Sequence, residues 1–468
     1  MRSNRSKTIR GIHKPKDFVI ILGSVFIGLA LACLTVDSPI SGIIGLSLGA
    51  VLAVSVLLRK TEYLIFSWVF LTASMWIILL RLLPAYYYAI AGRGIFWGLL
   101  VCAIAAWAMD NALRGRQFTR FDNVAFKALI LVFMLWCALS LLTSIDPLNS
   151  VKKWAHFVIA LFASYMFYDF FSRDVNNIKK FLVVISIVVT IVSLVTVVVA
   201  TRCLILGMPV YKEISLWFFN PNVLGNFLFG CCPILITSGF DFGPIKRLRF
   251  YFVCLLLLAL FFSFHRASWL AVLVSGTFLL WKAGGKLSLI TVMIAGLFIT
   301  SLTFPLWGVD FYGHITGPLY TGRKELWHAS WNTACDYPLL GVGLGNSVEA
   351  IEKYIDTIWM QGTATHNVYL RNAVDMGFMS AVLLLVFYVM FLYSSWKIER
   401  SLKSHYLRLV VRGSMASFLG LFVHGMFGNF GILTCFDAAD FTVLMPYILM
   451  ALPFAAKKLE ERAEFGAV

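Results

Sequence analysis

His366 is the residue of this chain best placed to act as a general base. It follows the turn QGTAT and precedes NVYLRNAV, so we expect it at or just inside a helix N-terminus, with Thr365 as the cap. The helix dipole there disfavours an imidazolium and would keep the ring neutral at working pH. A neutral imidazole is the form that removes a proton from a hydroxyl. A polar surface histidine is the alternative interpretation.

Two arginines have positions suited to binding an anion. Arg323 opens an amphipathic helix, RKELWHASWNTA, where a first-turn guanidinium acts with free backbone N–H groups on a phosphate. Arg266, with His265 beside it, lies 17 residues after Arg249. At about 1.5 Å per residue, this spacing carries Arg266 close to the outer edge of the hydrocarbon. It either snorkels at the end of its helix or binds an anion reached from the outer leaflet.

The helix that Arg323 opens carries apolar residues on one face. Trp327, Trp331 and Ala334 recur at helical spacing with Leu326 alongside, so this face would lie on the membrane surface or form the roof of a cavity. Tryptophans at an interface are also ordinary membrane anchors.

A glycine-rich run, PLLGVGLGNS at 338–347, superficially resembles a phosphate-binding loop. It lacks the Lys-Ser/Thr pair that follows such a loop in nucleotide sites, so the pattern favours a turn. Asn346 and Glu349 have the spacing of a helix cap, which predicts a surface helix over SVEAIEKYIDTIWM. The histidines and cysteines show no metal-ligand spacing, and neither HExxH nor GxSxG occurs. We therefore expect no metal and no cofactor.

The composition indicates a helical membrane protein. The 468 residues are 60% hydrophobic and only 13% charged, a balance that a soluble globular protein would not keep in solution. The net charge of +16 comes from Lys and Arg clusters between apolar runs, as expected of cytoplasmic loops rather than of a nucleic-acid-binding surface. Membrane lipids are expected partners, and nucleic acid is not.

Apolar runs of span length occur along the whole chain, which predicts a single integral membrane domain, 1–468, with about 12 to 14 transmembrane helices. The candidate spans are 18–36, 39–58, 62–80, 94–109, 124–143, 154–172, 181–200, 221–240, 251–265, 268–281, 287–304, 373–396, 408–428 and 441–456.

The basic clusters fall in every second connection, as the positive-inside rule requires. Both termini are then cytoplasmic, and the long polar segment at 304–371 lies outside. Within it, we expect residues 305–372 to form short helices that roof an active site. Lys152 and Lys153 are the exception, because they fall in an outer connection.

Four stretches of the C-terminal half resemble the O-antigen ligase and polymerase family, bacterial membrane glycosyltransferases that use lipid-linked glycans on the periplasmic face. They are FNPNVLGNFL at 219–228, SFHRASWLA at 263–271, TGRKELWHASW with PLLGVGLG within 321–345, and THNVYLRNAVDMG at 365–377. The resemblance implies a GT-C-like fold in the bacterial inner membrane.

The resemblance also implies the reaction and its residues. The donor would be a glycan on undecaprenyl diphosphate, and the acceptor a hydroxyl of the lipid A core or of a growing glycan, without cofactor or metal. Arg266 and Arg323 would bind the diphosphate, and His366 would deprotonate the acceptor. The family usually has a further arginine shortly before its NPN motif; here the nearest basic residue is Lys212, eight positions before Asn220, and it supplies charge without a bidentate fork. Because no carboxylate pair is visible outside, direct attack with inversion at the sugar is the simplest hypothesis.

The family contains ligases that attach glycan to the lipid A core during lipopolysaccharide synthesis, polymerases that extend the glycan, and relatives that glycosylate protein. The motifs do not separate ligase from polymerase, and we favour the ligase. A transporter or flippase for the same class of lipid is the competing function. Two arginines and a histidine on one face favour catalysis over passage.

Overall fold

The computed structural model describes residues 85–210, 213–214, 221–239, 249–282, 321–356, 361–431 and 441–465. Every regular element in these ranges is helical, which confirms the prediction of an all-α polytopic protein. The α-helices are α1 Ala85–Leu113, α2 Val124–Leu139, α3 Pro147–Phe171, α4 Val175–Leu206, α5 Pro221–Ile234, α6 Arg249–Phe262, α7 Arg266–Lys282, α8 Thr321–Asp336, α9 Ser347–Ile351, α10 Val368–Met376, α11 Phe378–Ser401, α12 His405–His424 and α13 Met445–Phe465.

The chain divides into two compact units, of which the first contains Tyr86–Phe118 and the second contains Thr119–Val468. In the described part of the first unit, α1 ends in an ion pair in which Arg114 Nε lies 2.5 Å from Asp110 Oδ1. The second unit contains α2 to α13 and all the candidate residues that the structure describes.

Six of the described helices are long and apolar enough to cross a membrane. They cover Val124–Thr143, Pro147–Phe171, Val175–Leu206, Phe378–Ser401, His405–His424 and Thr442–Glu464. The chain is therefore a multi-pass membrane protein. The predicted spans at 18–36, 39–58, 62–80 and 287–304 lie outside the described residues, so the total of 12 to 14 stays a prediction.

Several span boundaries differ from the predictions, and two of the differences matter for the site and for the charge pattern. The span predicted at 373–396 begins at Phe378, because Gly377 turns the chain with a φ of 78° and separates the short helix α10 from α11. Lys152 and Lys153 are not in a connection, because α3 begins at Pro147, where the Asp146 carboxylate accepts the Asn149 N–H at 3.1 Å. The two lysines lie in the first two turns of α3.

Helix α12 lies at the centre of the second unit and packs against α5, α7, α11 and α13. Small residues allow this close packing, since Gly420 faces the Phe229 ring and Ser275. Hydroxyl groups also bond across the helices: Ser275 Oγ donates to the Ala416 carbonyl at 2.7 Å, and Ser414 Oγ donates to the Leu449 carbonyl at 2.6 Å. The site is therefore built on a tightly packed bundle.

The two ends of this bundle differ. At one, which we call the site end, α2 leads into α3, and α11 begins beside Pro338, whose carbonyl accepts the Phe378 N–H at 3.0 Å. We call the other the opposite end. There, the Glu399 carboxylate of α11 accepts a hydrogen bond from Lys282 Nζ at 2.7 Å and forms an ion pair with Arg412. These two bonds connect α11 to α7 and α12. The candidate residues gather at the site end.

Candidate functional site

Two turns at the site hold non-glycine residues in the left-handed region. Phe264 has a φ of 55° and His366 a φ of 52°, and they are the non-glycine residues with positive φ in the described part of the chain. Such a conformation costs about 1–3 kcal/mol and persists where its surroundings fix it. The first turn joins α6 to α7 and presents Arg266, while the second precedes α10 and contains His366. Backbone strain in the described chain therefore coincides with the predicted chemistry.

His366 precedes the cap of α10 instead of lying within the helix. Asn367 is the N-cap, and its Oδ1 accepts the N–H groups of Tyr369 and Leu370, both at 3.0 Å. The prediction that Thr365 caps the helix is wrong. The Thr365 hydroxyl lies 3.0 Å from Ser330 Oγ of α8. The carbonyl of Thr365 accepts a hydrogen bond from the indole Nε1–H of Trp327 at 3.1 Å. His366 is thus held between α8 and α10.

The His366 ring is neutral at pH 7, as predicted, but mainly for a different reason. Burial lowers its pKa to about 4, and the positive charges of Arg323 and Arg371 lower it further in the same direction. Asn429 contacts the ring, with its amide nitrogen 3.4 Å from His366 Nδ1. This asparagine was missed in the sequence, where it lies 63 positions from the histidine.

Arg323 is the electrostatic centre of the site. It lies in the first turn of α8, as predicted, and is partly buried. Its positive charge lowers the pKa of both His366 and Arg266. For each of these groups, burial lowers the pKa more than the charge of Arg323 does. No carboxylate among the described residues forms an ion pair with Arg323. Two arginines and a neutral histidine therefore share one positive region.

His265 does not act with Arg266 as an exposed pair. Its ring is buried, with Nδ1 2.7 Å from Ser268 Oγ and its centroid 5.1 Å from that of His424. A Cβ on Gly225 would lie 2.6 Å from His265 Cβ, so the glycine makes room for the imidazole. The buried His265 ring packs inside the turn between α6 and α7. Arg266, in contrast, is the first residue of α7 and is only partly buried.

The apolar face predicted for α8 is confirmed at Leu326 and Ala334, which are buried, but not at Trp331. The buried face carries Leu326, Ala329 and Ala334, which join a small apolar cluster with residues of α9, α10 and the glycine-rich run. Trp331 is exposed and its ring lies 5.5 Å from that of Phe378. Small residues, and not the tryptophans, bring α8 close to α10.

The glycine loop, residues 341–345, is a turn, as predicted, and serves as a scaffold. Its three glycines have φ values of 67°, 95° and 89°. The loop binds its neighbours through main-chain groups: Val342 N–H donates to the Val374 carbonyl at 2.9 Å, and Gly343 N–H to that of Asp375 at 2.9 Å. On its other side, Ile145 N–H donates to the Val342 carbonyl at 3.0 Å. The loop therefore joins α10 to the connection between α2 and α3.

Asn346 does not cap a long surface helix with its side chain. Its amide nitrogen instead lies 2.9 Å from Ser144 Oγ and 3.1 Å from Ser150 Oγ. Helix α9 is only five residues long and continues as a 3-10 turn, Glu352–Tyr354. The carboxylate of Asp375, from a distant part of the chain, accepts the N–H of Ser347 at 2.8 Å.

Arg371 and Asp375 form a buried pair that the sequence interpretation missed. Arg371 Nε lies 3.6 Å from Asp375 Oδ2, one helical turn away on α10. Burial raises the pKa of Asp375, while Arg371 and backbone N–H groups oppose that shift. The i, i+4 spacing of an arginine and an aspartate in LRNAVDMG was the available signal. Through Ser347, this pair ties α10 to α9.

Replacing Gly341 by alanine should destabilise the site strongly, because a Cβ there would overlap the backbone of Asp375 and Met376. We expect a loss of about 3–5 kcal/mol from overpacking combined with the left-handed backbone. Gly362→Ala is the matched control, since Gly362 has a similar φ of 73° and open space around it. The control should lose only about 1–2 kcal/mol. Equal midpoints of thermal unfolding for the two variants would contradict the scaffold role.

Lys212 lies outside the described residues, so its role toward a diphosphate stays a prediction. Among the described residues, no group of three or more His, Cys, Asp and Glu side chains is arranged to hold a metal ion.

Comparison with protein families matches residues 250–385 to the family described as O-Antigen ligase. The matched segment contains Arg266, Arg323 and His366, together with the glycine loop and the buried Arg371–Asp375 pair. No curated protein matches the chain.

Proposed function

We propose that this chain, whose residues 250–385 match the O-antigen ligase family, transfers a glycan from undecaprenyl diphosphate to a hydroxyl of the lipid A core. The observation that carries the proposal is the shared positive region of Arg266, Arg323 and neutral His366. In this proposal the site faces the periplasm of a bacterial inner membrane, and residues 305–372 form its roof.

The two arginines bind the diphosphate of the donor. Arg266 and Arg323 come from the first turns of different helices, so each brings its guanidinium beside backbone N–H groups that the helix leaves unpaired. When the bond between sugar and phosphate breaks, the negative charge on the leaving diphosphate grows. Guanidinium groups that are already in place stabilise this charge in the transition state, and their forks match phosphate oxygens.

His366 removes the proton from the acceptor hydroxyl. Because the two ends of an amide are nearly isosteric, Asn429 rotated by 180° presents its oxygen to His366 Nδ1–H. This tautomer leaves Nε2 as the free base. The hydroxyl then attacks the anomeric carbon, the sugar–phosphate bond breaks, and the electron pair leaves with the diphosphate. Asp375 is buried and held by Ser347 and Arg371 in a structural role, which favours a single displacement with inversion at the anomeric centre over a covalent intermediate.

The pH dependence of transfer should follow the protonation of His366. The base works in its neutral form, so activity is lost as the pH falls through the pKa of about 4 and is present above it. We therefore expect kcat/KM to stay constant from about pH 5 upward. It should show no change near pH 6.5, which is about the pKa of an ordinary histidine. Initial rates in detergent from pH 4 to 8, with folding checked by circular dichroism, measure this profile. An inflection near 6.5 would contradict a buried base.

The purified full-length protein tests the function directly. It is incubated with an undecaprenyl-diphosphate-linked glycan and a lipid A core acceptor, and the products are separated by mass. We expect glycan attached to the acceptor with inverted anomeric configuration. A retained configuration would overturn direct attack. Longer carrier-linked glycan without attachment would identify a polymerase, and movement of the donor across a vesicle membrane without transfer would identify a transporter.

A further inference from the structure

A cavity of about 490 Å³ lies at the opposite end of the bundle, away from the candidate site. The ends of α2, α3, α11 and α13 surround it, and none of the residues discussed for glycosyl transfer contributes to its wall. Its lining combines aromatic rings, among them Tyr168, Tyr393 and Phe454, with the lysines Lys397 and Lys458. Apolar walls with a few charged groups are typical of ligand sites.

The charges of the lining do not balance. Lys458 Nζ lies 2.7 Å from Asp122 Oδ2 and 3.2 Å from Glu461 Oε2, so its charge is matched. Lys457, also in the lining, lies one turn from Glu461. Lys397 has no carboxylate partner among the described residues, and its Nζ is 4.5 Å from the centroid of the Tyr393 ring. Three lysines against two carboxylates leave a net positive charge for a ligand to neutralise.

The depth of the cavity relates it to the membrane surface. Lys397 follows Phe378, the first residue of α11, by 19 positions, which correspond to about 29 Å of helix. This length is close to the thickness of the hydrocarbon layer, about 30 Å. If the candidate site lies at the headgroup level of one leaflet, the cavity therefore lies at the headgroup level of the other leaflet. Below the cavity, α11 presents apolar residues such as Val389, which is 66% exposed, to the lipid chains.

We propose that this cavity binds the headgroup of an anionic glycerophospholipid from the leaflet at the opposite end, with the phosphate on Lys397 and the acyl chains along the lipid-facing side of α11. A soluble phosphate is also an anion, but it would contact neither the aromatic wall of the cavity nor the apolar face of α11. Basic cavities between transmembrane helices commonly take such headgroups. The proposal is independent of glycosyl transfer, because it involves other residues at the other end of the bundle.

Lipid retention by the full-length protein tests the proposal. The protein is purified in detergent, exposed to equal amounts of phosphatidylglycerol and phosphatidylcholine, and weighed by native mass spectrometry. We expect phosphatidylglycerol to be retained preferentially, and Lys397→Gln to weaken that retention about fivefold. Lys127→Gln is the matched control, because Lys127 is an exposed lysine near the same end that does not line the cavity. The control should retain the lipid as the unmodified protein does.

A second pair of variants separates the cavity from general surface charge. Ser394→Trp fills the cavity without changing the charge and should abolish preferential retention, whereas Val198→Trp places the same ring on an exposed position of α4, which does not line the cavity, and should not. Equal retention of the two lipids, or equal loss in Lys127→Gln and Lys397→Gln, would overturn the proposal. Displacement of phosphatidylglycerol by millimolar inorganic phosphate would overturn the assignment to a lipid.

Discussion

Replacing His366 by asparagine should lower kcat for glycan transfer by about 10²–10⁴-fold while donor binding is kept. Asparagine removes the base but tolerates the left-handed backbone at this position, where φ is 52°. His366→Ala would combine loss of the base with backbone strain, so asparagine is the cleaner substitution. Transfer is measured as initial rate against donor concentration with purified protein, and folding by the midpoint of thermal unfolding.

His328→Asn is the control for this experiment. His328 is an exposed histidine on α8, in the same segment but away from the positive region, so its loss should leave the rate unchanged. If His366→Asn keeps the full rate with an unchanged unfolding midpoint, His366 is not the base. If the rate falls only because the affinity for donor falls, His366 binds the diphosphate instead of activating the acceptor.

Replacing Arg323 by alanine should lower kcat/KM by about 10²–10³-fold, because it removes a donor aimed at the leaving diphosphate. Arg323→Lys should restore only part of this loss, since an ammonium keeps the charge but not the bidentate fork. Lys324→Ala is the matched control: it removes a neighbouring positive charge that is exposed on the same helix. Rates for the three variants at several donor concentrations make this comparison.

The double variant of Arg323 and Arg266 tests whether the two arginines bind one anion. If both contact the same diphosphate, their losses should be non-additive by at least about 0.5 kcal/mol in a double-mutant cycle. Strict additivity would mean that the arginines act at separate places. An unchanged rate in Arg323→Ala alone would remove this residue from the proposed mechanism.

Local patterns in the sequence predicted the placement of the candidate residues but not the geometry of their turns. The first-turn position of Arg323 and the turn before His366 follow from helix periodicity and from QGTAT. The cap was assigned to the wrong residue because Thr365 and Asn367 are both good caps, and only the contact of Thr365 with Ser330 on α8 decides between them. Local propensity does not contain that contact.

The same limit explains the errors in the glycine-rich region. Asn346 has the local sequence of a capping residue, yet its amide is held by Ser144 and Ser150 about 200 positions earlier in the chain. Hydropathy joined α10 to α11, because the apolar residues on one face of VYLRNAV extend the apolar run of the span. The break at Gly377 follows from close contact with Leu339, a tertiary constraint that an apolar run does not reveal. The four-residue spacing of Arg371 and Asp375, in contrast, was visible and was overlooked.

The main-chain bonds of the glycine loop determine which substitutions this region tolerates. Val374 and Asp375 offer their carbonyl groups to the loop, and the Asp375 carboxylate also accepts a hydrogen bond from the Gly345 backbone. Ser347 and Arg371 constrain the same carboxylate further. In a saturation library selected for function, only apolar residues close to valine in size should survive at Val374, which is buried in the apolar cluster with Val342, whereas Gly341 and Gly343 should accept no other residue. The most restrictive positions of the region would then be those without a side chain.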